Sequence, residues 1–297
     1  MPHTSPKISL ITVNYNGEED SLEFIASLQK STLRDWELFV VDNASHRSPC
    51  RIGEIQDDRI QLIALSENKG FAGGNNVAVP KCSAPYLFFV NNDTILTPDC
   101  LEILHDTAEE IENLGALSPK FHYYHQQNLI EFAGCTQINR ITARNTALHN
   151  REIDNGVKGL IETHYAHGAG MLIPKKVIET VGTMHEAFFL YYEEMDWCER
   201  IRKAGYQIYC QRDALIYHKE SASVGKLNPL KTYYLNRNRI LFMNRNFPYP
   251  SNFPFLLFLI FISIPTNFFR FLVKGEIDHL KAYLKGIYWH INSKSTI

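Results

Sequence analysis

Asp93 is the residue whose type and position most directly predict chemistry in this sequence. It ends the polar triplet Asn91-Asn92-Asp93, which follows the apolar run at residues 86–90 without a break. An acidic side chain in that place lies at the carboxyl edge of a buried strand, where divalent cations are commonly held by one or two carboxylates together with substrate phosphates. A cation there would neutralise the charge that builds on a departing diphosphate. The alternative is a turn residue that holds no ligand.

Three carboxylates around residue 195 form a second candidate centre. Glu193, Glu194 and Asp196 directly follow the aromatic run at residues 188–192. A carboxylate beside aromatic walls has its pKa raised toward that of a useful general base. Acids are also common in the first turn of a helix, and Asp196 can pair with Arg200 one turn later, so helix capping is the competing interpretation.

Asp42 and the segment at residues 68–76 are candidates for binding a nucleotide. Asp42 follows the apolar run at residues 36–41 and can accept hydrogen bonds from a base or from ribose hydroxyls, although it could also be an ordinary capping residue. We interpret residues 68–76, which contain three glycines and three asparagines, as a loop whose backbone can approach a ligand closely. The sequence contains no P-loop motif, which argues against ATP hydrolysis of that type.

His218 and Arg237 are the candidates in the last third of the chain. His218 closes an apolar run at residues 214–217 and can ligate a metal or contact phosphate, although a lone histidine is more often structural. Arg237 and Arg239 offer two guanidinium groups, which suit phosphate bidentately. The alternative for the arginines is a basic helix face near membrane lipid.

A parallel sheet flanked by helices would bring most of these residues together. Four apolar runs predict strands, and helical spacing at residues 22–28 and after Pro98 predicts helices between them. The predicted strands are residues 8–13, 36–41, 60–65 and 86–90. Strands that alternate with helices favour a parallel sheet, whose ligands bind beyond the carboxyl ends of the strands.

The second half of the chain shows a less regular pattern. The pattern between about residue 115 and 170 predicts no clear element. Regular spacing returns with a predicted strand at 168–173 and a predicted helix at 175–181. A further helix is predicted at 194–204, with an apolar stripe and a terminating glycine. The stripe is Trp197, Ile201 and Ala204, and the glycine is Gly205.

The composition indicates a folded protein with an uneven charge distribution. The chain has 297 residues, of which 45% are hydrophobic, so it can bury a large core. The formal net charge of −2 argues against a nucleic-acid-binding protein. Residues 226–297 hold ten Lys or Arg and two acids, which leaves 20 basic and 30 acidic residues in the first 225. A basic C-terminal section on an acidic body predicts contact with something anionic.

The cysteines and the N-terminus predict a cytoplasmic setting. The six cysteines form no CxxC pair and no dense framework, so neither a zinc site nor a disulfide scaffold is indicated. The first seven residues contain no long apolar segment of the kind that marks a secretory signal. We therefore expect reduced thiols and a catalytic part that stays in the cytoplasm.

Residues 253–273 are the most apolar part of the chain and predict contact with a membrane. The run nearly reaches the ~20 residues that span a bilayer, but Pro265, Asn267 and Arg270 interrupt it. We favour a helix in the membrane interface, with Lys and Arg meeting anionic lipid. The alternatives are a core or dimer-interface helix and, less favoured, a transmembrane hairpin.

Taken together, these motifs resemble the family 2 glycosyltransferases, in particular the branch that includes bacterial rhamnosyltransferases. They occur in the family's order between residues 8 and 245. The segments that carry the resemblance are residues 11–16, 40–45, 68–76, 91–94, 189–196 and 202–206, with His218, Tyr233-Tyr234 and Arg237-Asn238.

The resemblance implies a GT-A fold, which is a Rossmann-like α/β fold with a mixed, mainly parallel sheet flanked by helices. Here it would carry a helical, apolar and basic C-terminal extension. The implied reaction is an inverting, single-displacement transfer from a nucleoside-diphosphate sugar, with Mg²⁺ or Mn²⁺ on the diphosphate. The implied metal positions are Asp93 and His218. The implied donor-binding positions are Thr12, Val13, Tyr15, Asp42, Asn43, Asn68, Gly70, Asn75, Asn92 and Arg237.

Two positions depart from the family pattern. Asn91 takes the place of the first acid of the metal motif, so one carboxylate fewer is present for a cation. Glu194 stands where the family's base is usually an aspartate. Glutamate keeps the chemistry but adds a methylene, and small misplacements at a reacting centre can be costly. We prefer Glu194 as the base, with Asp196 as the runner-up.

These observations define the predicted organisation and function. Residues 1–100 form the half that binds the nucleotide sugar, residues 101–225 the acceptor-binding and catalytic half of the same domain, and residues 226–297 a helical membrane-associating segment. The expected function is transfer of a sugar, with rhamnose suggested by the related branch, to a saccharide or lipid-linked saccharide in cell-surface polysaccharide synthesis. The enzyme would lie on the inner face of the cell membrane and contact it through residues 250–290, with homo-oligomer formation left open. The alternatives are a nucleotidyltransferase that makes nucleotide sugars and a non-catalytic binder of them.

Overall fold

The computed structural model describes residues 5–220 and 228–292, which form ten strands and ten α-helices. The strands are β1 Ile8–Asn14, β2 Trp36–Asp42, β3 Ile60–Ala64, β4 Tyr86–Val90, β5 Thr94–Leu96, β6 Leu114–Tyr123, β7 Gln126–Phe132, β8 Leu160–Glu162, β9 Gly170–Pro174 and β10 Gln207–His218. The helices are α1 Glu18–Leu28, α2 Cys50–Gly53, α3 Gly70–Ala78, α4 Cys100–Glu110, α5 Lys175–Val181, α6 Glu193–Lys203, α7 Pro229–Asn246, α8 Phe253–Phe258, α9 Ile264–Val273 and α10 Ile277–Asn292.

One mixed sheet forms the centre of the molecule. Its strand order is β3-β2-β1-β4-β9-β6-β10-β5, with β7 beside β6 and β8 beside β10. The strands β3, β2, β1 and β4 run parallel, whereas β9 is antiparallel to both of its neighbours. The predicted mixed, mainly parallel sheet with flanking helices is therefore confirmed.

The first four strands follow the predicted apolar runs to within one residue. β1 and β2 are buried along nearly their whole length because the sheet is covered on both faces, which explains their uninterrupted apolar sequences. Their parallel register places Asn14 directly opposite Asp42. The polar residues that end these strands therefore meet at one edge of the sheet, as predicted.

Residues 115–170, which the sequence pattern left unassigned, contain three strands. β6 is ten residues long and almost wholly buried, and it pairs with β7, β9 and β10. β10 starts at Gln207, seven residues before the apolar run that predicted it, and its pairing with β6 shifts between Gln211 and Leu215. Because residues 211–213 at this irregularity are polar, the apolar pattern did not predict the first part of the strand.

The interpretation of residues 68–76 as a loop is wrong, because helix α3 begins at Gly70. Glycine and asparagine favour loops in isolation, but contacts with the rest of the protein override that preference here. Gly70 has a φ of +71°, and a Cβ atom at this position would lie 2.3 Å from the carbonyl oxygen of Phe189. The glycine thus permits both the turn into α3 and the close approach of a distant loop.

Helix α6 confirms the predicted helix near residue 194 with one correction. Trp197 and Ile201 are fully buried, but Ala204 is exposed because the helix ends at Lys203. Gly205 follows with a φ of +94°, the left-handed conformation expected of a glycine just after a helix.

The C-terminal segment is helical, as predicted. A π-helical turn at Leu259–Ser263 joins α8 to α9, so that Phe253–Val273 is one helical stretch of 21 residues. Among the described residues it is the one helix whose length and composition would allow it to cross a membrane, and only 17% of its most apolar window is buried. α10 packs against α7 and α9.

Candidate active site

Asp93 and His218 meet at the carboxyl edge of β4. β5 pairs with β10, and Thr94 lies opposite His218. This pairing places the end of β10 next to Asp93, the residue before Thr94. Asp93 Oδ1 and His218 Nε2 are 3.3 Å apart, and both side chains are about nine-tenths buried. The backbone amide of Lys219 also donates to the Asp93 carbonyl oxygen at 2.9 Å. The structure therefore brings the two predicted metal positions together.

Glu131, near the end of β7, lies in the same cluster, although no motif marks it. Its two carboxylate oxygens are 2.9 and 3.0 Å from His218 Nδ1, and one of them is 3.7 Å from His167 Nε2. We call Asp93, Glu131, His167 and His218 the strand-edge cluster. The sequence feature that could have identified Glu131 is its position as the one acid within the otherwise apolar residues 129–133, since a carboxylate buried in a strand requires a partner.

The two histidines of the strand-edge cluster differ in charge. Burial alone would lower the pKa of His218, but hydrogen bonds to Asp93 and Glu131 outweigh that effect and raise the pKa to about 10. Burial lowers the pKa of His167 to about 4, because the attraction of Glu131 is weaker than the cost of burying its charge. Without a bound cation, His218 is therefore an imidazolium at neutral pH and His167 is neutral.

The strand-edge cluster suits a divalent cation only in combination with ligands from a substrate. In the described part of the chain, no group of three or more His, Cys, Asp or Glu side chains is arranged to hold a metal ion. The Asp93 oxygen and the His218 nitrogen, 3.3 Å apart, are compatible with two ligands of one ion, since neighbouring ligands of an octahedral ion with bonds of about 2.1 Å lie roughly 3 Å apart. The carboxylate ligand suits either Mg²⁺ or Mn²⁺, whereas the imidazole ligand suits Mn²⁺ better, because Mn²⁺ is the transition metal of the two. Diphosphate oxygens and water would have to complete the coordination.

Asp196 is the most fully bound carboxylate of α6. It accepts hydrogen bonds from Arg200 Nε at 3.0 Å, Arg245 Nε at 3.2 Å and Asn246 Nδ2 at 2.8 Å, and it has no exposed surface. The pairing with Arg200 is the one that the sequence spacing predicted. Three donors and complete burial indicate a structural role that joins α6 to α7.

Glu193 and Glu194, one turn earlier, have no such compensation. Burial raises the pKa of both carboxyl groups, well above the usual value in the case of Glu193. Glu193 is 4% exposed, and its Oε2 atom has no hydrogen-bond partner in the described residues. Backbone amides at the start of α6 offset only part of the effect on Glu194.

Glu194 lies beside the strand-edge cluster. A Cβ atom placed on Gly168 would be 3.4 Å from Glu194 Cγ and 3.6 Å from its carboxyl carbon. Gly168 follows His167 directly in the chain, so the Glu194 carboxyl group neighbours the residue next to a cluster member. Glu194 thus contacts the segment that leads from His167 into β9.

The loop that leads into α6 has a strained backbone. Phe189, Tyr191 and Tyr192 have φ values of 64°, 71° and 73°, a region that non-glycine residues rarely adopt. The buried Asn238 Nδ2 atom holds this loop by donating to the carbonyl oxygens of Phe188, Leu190 and Tyr191 at 2.7–2.8 Å. Strain of this kind persists only where surrounding contacts enforce it, and it is concentrated at functional sites.

Arg237 helps to hold the same loop. Its guanidinium group donates to the carbonyl oxygens of Ala187 and Phe188 and to the Asn238 side chain, and the residue is 6% exposed. These bonds support the loop before α6. The phosphate-binding role of Arg237 stays a prediction.

Asp42 retains hydrogen-bonding capacity at the edge of β2. Asn14 Nδ2 and Ser45 Oγ donate to its Oδ1 atom at 2.8 and 2.6 Å. Its Oδ2 atom receives only a long bond of 3.4 Å from the Ser45 amide. A carboxylate oxygen can accept two hydrogen bonds, so Oδ2 could accept another donor such as a hydroxyl or a base N–H.

Asn43, Asn68, Gly70 and Asn75 form a hydrogen-bonded frame around the start of α3. Asn43 donates to the Asn68 side chain at 3.0 Å and to the Gly70 carbonyl at 2.9 Å. Asn68 accepts from the Gly70 amide at 2.8 Å, and Asn75 donates to the Phe71 carbonyl at 2.9 Å. These bonds shape the region predicted to bind the nucleotide sugar and use both side-chain N–H groups of Asn43.

The remaining predicted donor positions lie on or next to β1 and β4. Asn92 donates to the Gly17 carbonyl at 3.2 Å and to Ser21 Oγ at 2.9 Å, which ties the end of β4 to the start of α1. Val13 packs closely against Gly74, and the Tyr15 ring lies 6.0 Å from the His46 ring. The hydroxyl of the buried Thr12 has no hydrogen-bond partner within the described ranges.

The family model described as glycosyl transferase family 2 matches residues 9–182 of this chain. The match covers more than half of the 297 residues. The chain belongs to glycosyltransferase family 2. The matched part of this glycosyltransferase includes Asp42, Asp93, Glu131 and His167, whereas Glu194 and His218 follow it. Family membership favours glycosyl transfer over both alternatives considered for the sequence.

Two relatives of this glycosyltransferase cover most of its length. The low-salt glycan biosynthesis hexosyltransferase Agl10 of Haloferax volcanii is 28% identical over 249 residues, which are 81% of this chain and 76% of the relative. The dTDP-rhamnosyl transferase RfbF of Shigella flexneri is 23% identical over an alignment of 298 residues that covers 93% of each chain. The rhamnosyltransferase branch suggested by the sequence is thus represented among the relatives, next to a hexosyltransferase.

A solved structure shares the fold. The crystal structure of GalNAc-T7 with UDP, GalNAc and Mn²⁺ matches with a TM-score of 0.66 at 10% sequence identity. The match covers 81% of this chain and 48% of that one, so this chain spans about half the length of that neighbour. At this identity the likeness shows the fold alone. The protein is a glycosyltransferase with a GT-A-like fold.

Proposed function

We propose that this glycosyltransferase catalyses an inverting transfer from a nucleoside-diphosphate sugar to a hydroxyl group, with Glu194 as the general base. The observation that carries the proposal is the contrast within α6. Asp196 is fully buried and bound by three donors, whereas the residue Glu194 is half-buried, has a pKa raised by burial of its carboxyl group and lies against Gly168, next in the chain to His167. A base must be available to the substrate and must have a pKa close to the working pH, and the raised pKa of Glu194 moves in that direction.

The proposed step is a single displacement at the anomeric carbon. The acceptor oxygen forms a bond to that carbon on the face opposite the diphosphate, while the bond from the carbon to the diphosphate oxygen breaks. The electron pair of the broken bond leaves with the nucleoside diphosphate, and the hydroxyl proton passes to the Glu194 carboxylate. Attack from the opposite face inverts the anomeric configuration.

The donor would bind along the sheet edge between β2 and β4. The spare capacity of Asp42 Oδ2 suits a ribose hydroxyl or a base N–H. Asp93 and His218 are the residues that would hold Mg²⁺ or Mn²⁺ together with the diphosphate. A bound cation would supply charge neutralisation for the leaving group. His218 must lose its proton to ligate the ion, so cation binding and protonation of His218 compete.

The names of the two relatives support a hexose donor, with rhamnose as the first candidate. RfbF is described as a dTDP-rhamnosyl transferase, and its similarity extends over 93% of both chains. Agl10 is described as a hexosyltransferase of glycan biosynthesis. We infer a role in cell-surface polysaccharide synthesis, with a saccharide or lipid-linked saccharide as acceptor.

The C-terminal segment supports docking on the inner face of the cell membrane. Twelve of the eighteen large hydrophobic side chains exposed in the described residues belong to positions 253–292, whereas only three lie in residues 5–220. Phe261, Phe269 and Val273 are 72%, 62% and 85% exposed. Apolar surface of this extent marks an interaction site, and adjacent Lys and Arg side chains suit the anionic cytoplasmic leaflet.

Binding and turnover measured together test the proposed function. Folded protein should be stabilised against heat by dTDP-rhamnose or a related nucleotide sugar, because ligand at 100 times its Kd adds about 2.7 kcal/mol to the free energy of unfolding. Mn²⁺ should increase the stabilisation, and release of nucleoside diphosphate should require a saccharide acceptor from a membrane extract. A complete absence of stabilisation and turnover across dTDP-, UDP- and GDP-sugars would refute the proposal.

A further inference from the structure

A cavity of about 320 Å³ lies between α7, α9 and α10, far along the chain from the strand-edge cluster. Its volume is at the lower end of the range typical of small-molecule sites. The side chains of Arg270 and Lys274 contribute positive charge, and Thr232, Asn236, Asn267 and His279 contribute polar groups. The cavity is therefore lined with groups that can bind an anion.

The two cations of the cavity are not neutralised by ion pairs. Within residues 5–220 and 228–292, neither Arg270 nor Lys274 is within ion-pairing distance of a carboxylate. One acid, Glu276, lines the cavity, and nearby Asp278 lies 3.6 Å from Lys281. Two cations against one lining carboxylate leave the cavity with an excess of positive charge.

The start of α10 adds to this positive potential. The helix has sixteen residues and begins at Ile277, between the cavity residues Glu276 and His279. The first turn of a helix of this length carries a partial positive charge, which the acidic Asp278 in that turn partly offsets, and it presents backbone amides that can bind phosphate groups. Two unpaired cations and a helix N-terminus therefore converge on one cavity.

Exposed apolar side chains border the cationic positions directly. Phe269 precedes Arg270 and is 62% exposed, and Val273 precedes Lys274 and is 85% exposed. Leu272 and Ile277 are 48% and 44% exposed. A ligand that fits this arrangement has a phosphate group for the cavity and hydrocarbon for the neighbouring surface. Membrane lipids combine these two features.

We propose that this cavity binds the phosphate group of an anionic membrane lipid. The inference rests on the membrane docking of the proposed function and adds to it a defined headgroup site. Docking through the apolar surface alone would not distinguish between lipids. A phosphate site with excess positive charge would favour anionic lipids, because the choline cation of phosphatidylcholine balances its phosphate and is repelled there. A bound headgroup would also fix the orientation of α9 and α10 at the surface.

The test compares binding of the full-length protein to vesicles of phosphatidylcholine alone and of phosphatidylcholine with phosphatidylglycerol. The cavity variant is Arg270→Gln with Lys274→Gln. The control is Lys281→Gln with Lys285→Gln, which removes the same charge from α10 outside the cavity. All four side chains are exposed, so both variants should fold, which equal melting temperatures would confirm.

The cavity variant should lose at least ten times more affinity for the anionic vesicles than the control, and both should bind neutral vesicles like the wild type. Equal losses in the two variants would overturn the site and leave only diffuse attraction to surface charge. Inorganic phosphate that stabilises the wild type but not the cavity variant, with unchanged vesicle binding, would also overturn it, because the ligand would then be a soluble phosphate.

Failure of the docking proposal itself gives a different result. In that case the wild type would bind neither vesicle preparation, and Phe261→Ser with Phe269→Ser would change nothing. If Phe261→Ser with Phe269→Ser weakens binding to both preparations while the cavity variant behaves like its control, the docking proposal is supported and the headgroup site is refuted.

Discussion

The strand-edge cluster and the start of α6 both present buried carboxylates, but they differ in how the charge is balanced. In the strand-edge cluster, Asp93 and Glu131 flank His218, and their carboxylates keep the imidazole protonated. At the start of α6, Glu193 and Glu194 have no cationic partner of this kind, and burial raises the pKa of both.

Under the proposed function, the two regions would divide the work of binding and proton transfer. A carboxylate balanced by a neighbouring cation keeps a constant charge near neutral pH, which suits the binding of a charged diphosphate. A carboxyl group without compensation changes its protonation state more readily, which suits proton transfer. Asp196 shows that sequence proximity does not decide the role, because it lies two residues from Glu194 and is fully compensated.

The largest effect is expected from Glu194→Gln, which removes the proposed base and keeps the shape of the side chain. General-base catalysis contributes about 10²- to 10⁴-fold, so kcat should fall by that factor while donor affinity stays close to that of the wild type. Glu194→Asp is the matched control, since it shortens the side chain and keeps the carboxylate, and it should retain a larger share of the activity. Transfer rates at saturating donor test this, and wild-type turnover by Glu194→Gln would contradict it.

Asp196→Asn should affect stability more than chemistry. Removing one partner of a buried ion pair costs about 3–5 kcal/mol, and the amide keeps some of the hydrogen bonds, so we expect a loss of about 3 kcal/mol and a melting temperature lower by roughly 5–10 °C. Well below the melting temperature, kcat should stay within about tenfold of the wild-type value. If Asp196→Asn melts like the wild type but shows no turnover, the result would contradict our assignment and favour Asp196 over Glu194 as the base.

The loop before α6 is expected to position Glu194, and disturbing this loop should have a smaller effect than the two substitutions above. Asn238→Ala removes the two N–H donors that the three loop carbonyls share, each worth about 1 kcal/mol net, so we expect a loss of stability and a reduced kcat. Asn236→Ala is the matched control on the same helix, because Asn236 donates only to the Thr232 carbonyl. Equal kcat values for the two variants would show that the loop does not position Glu194.

The smallest expected effect concerns the balance around His218 in the absence of metal. Because the pKa of His218 is raised to about 10 in the folded state, its contribution to stability is fully present below the pKa of an unfolded histidine and is lost as the pH rises to about 10. Glu131→Gln removes one of the two carboxylates and should flatten this decline. Chemical denaturation between pH 6 and 10 in the presence of a chelator measures it, and parallel profiles would argue against the pairing of Glu131 with His218.

The sequence predicted the parallel half of the fold because its strands are continuous apolar runs that end in polar residues. That pattern located Asp42 and Asp93 and implied that they share one edge, and it marked His218 as the end of a separate apolar run. Glu131 and His167 were missed because they follow no motif and reach the site through antiparallel pairing, which depends on contacts distant in sequence. The start of α3 was misassigned because Asn43 and Asn68 stabilise a helix that glycine would not form alone.

The predictions for the two C-terminal arginines show a different limit. A guanidinium group suits phosphate and backbone carbonyls equally well, and only the packing of α7 against the loop at residues 187–191 selects the carbonyls for Arg237. Arg239 is likewise buried and donates to Ser263 Oγ. Composition alone cannot distinguish a cation that binds a ligand from one that supports a loop.

The pH dependence of kcat tests the assignment of the base most directly. Because the pKa of Glu194 is raised, activity should fall at acidic pH through an apparent pKa above the usual range of a glutamate. The account predicts that Asp196→Asn keeps this acidic limb unchanged and that Glu194→Gln loses it together with most of the rate. An acidic limb that persists in Glu194→Gln and disappears in Asp196→Asn would contradict the account.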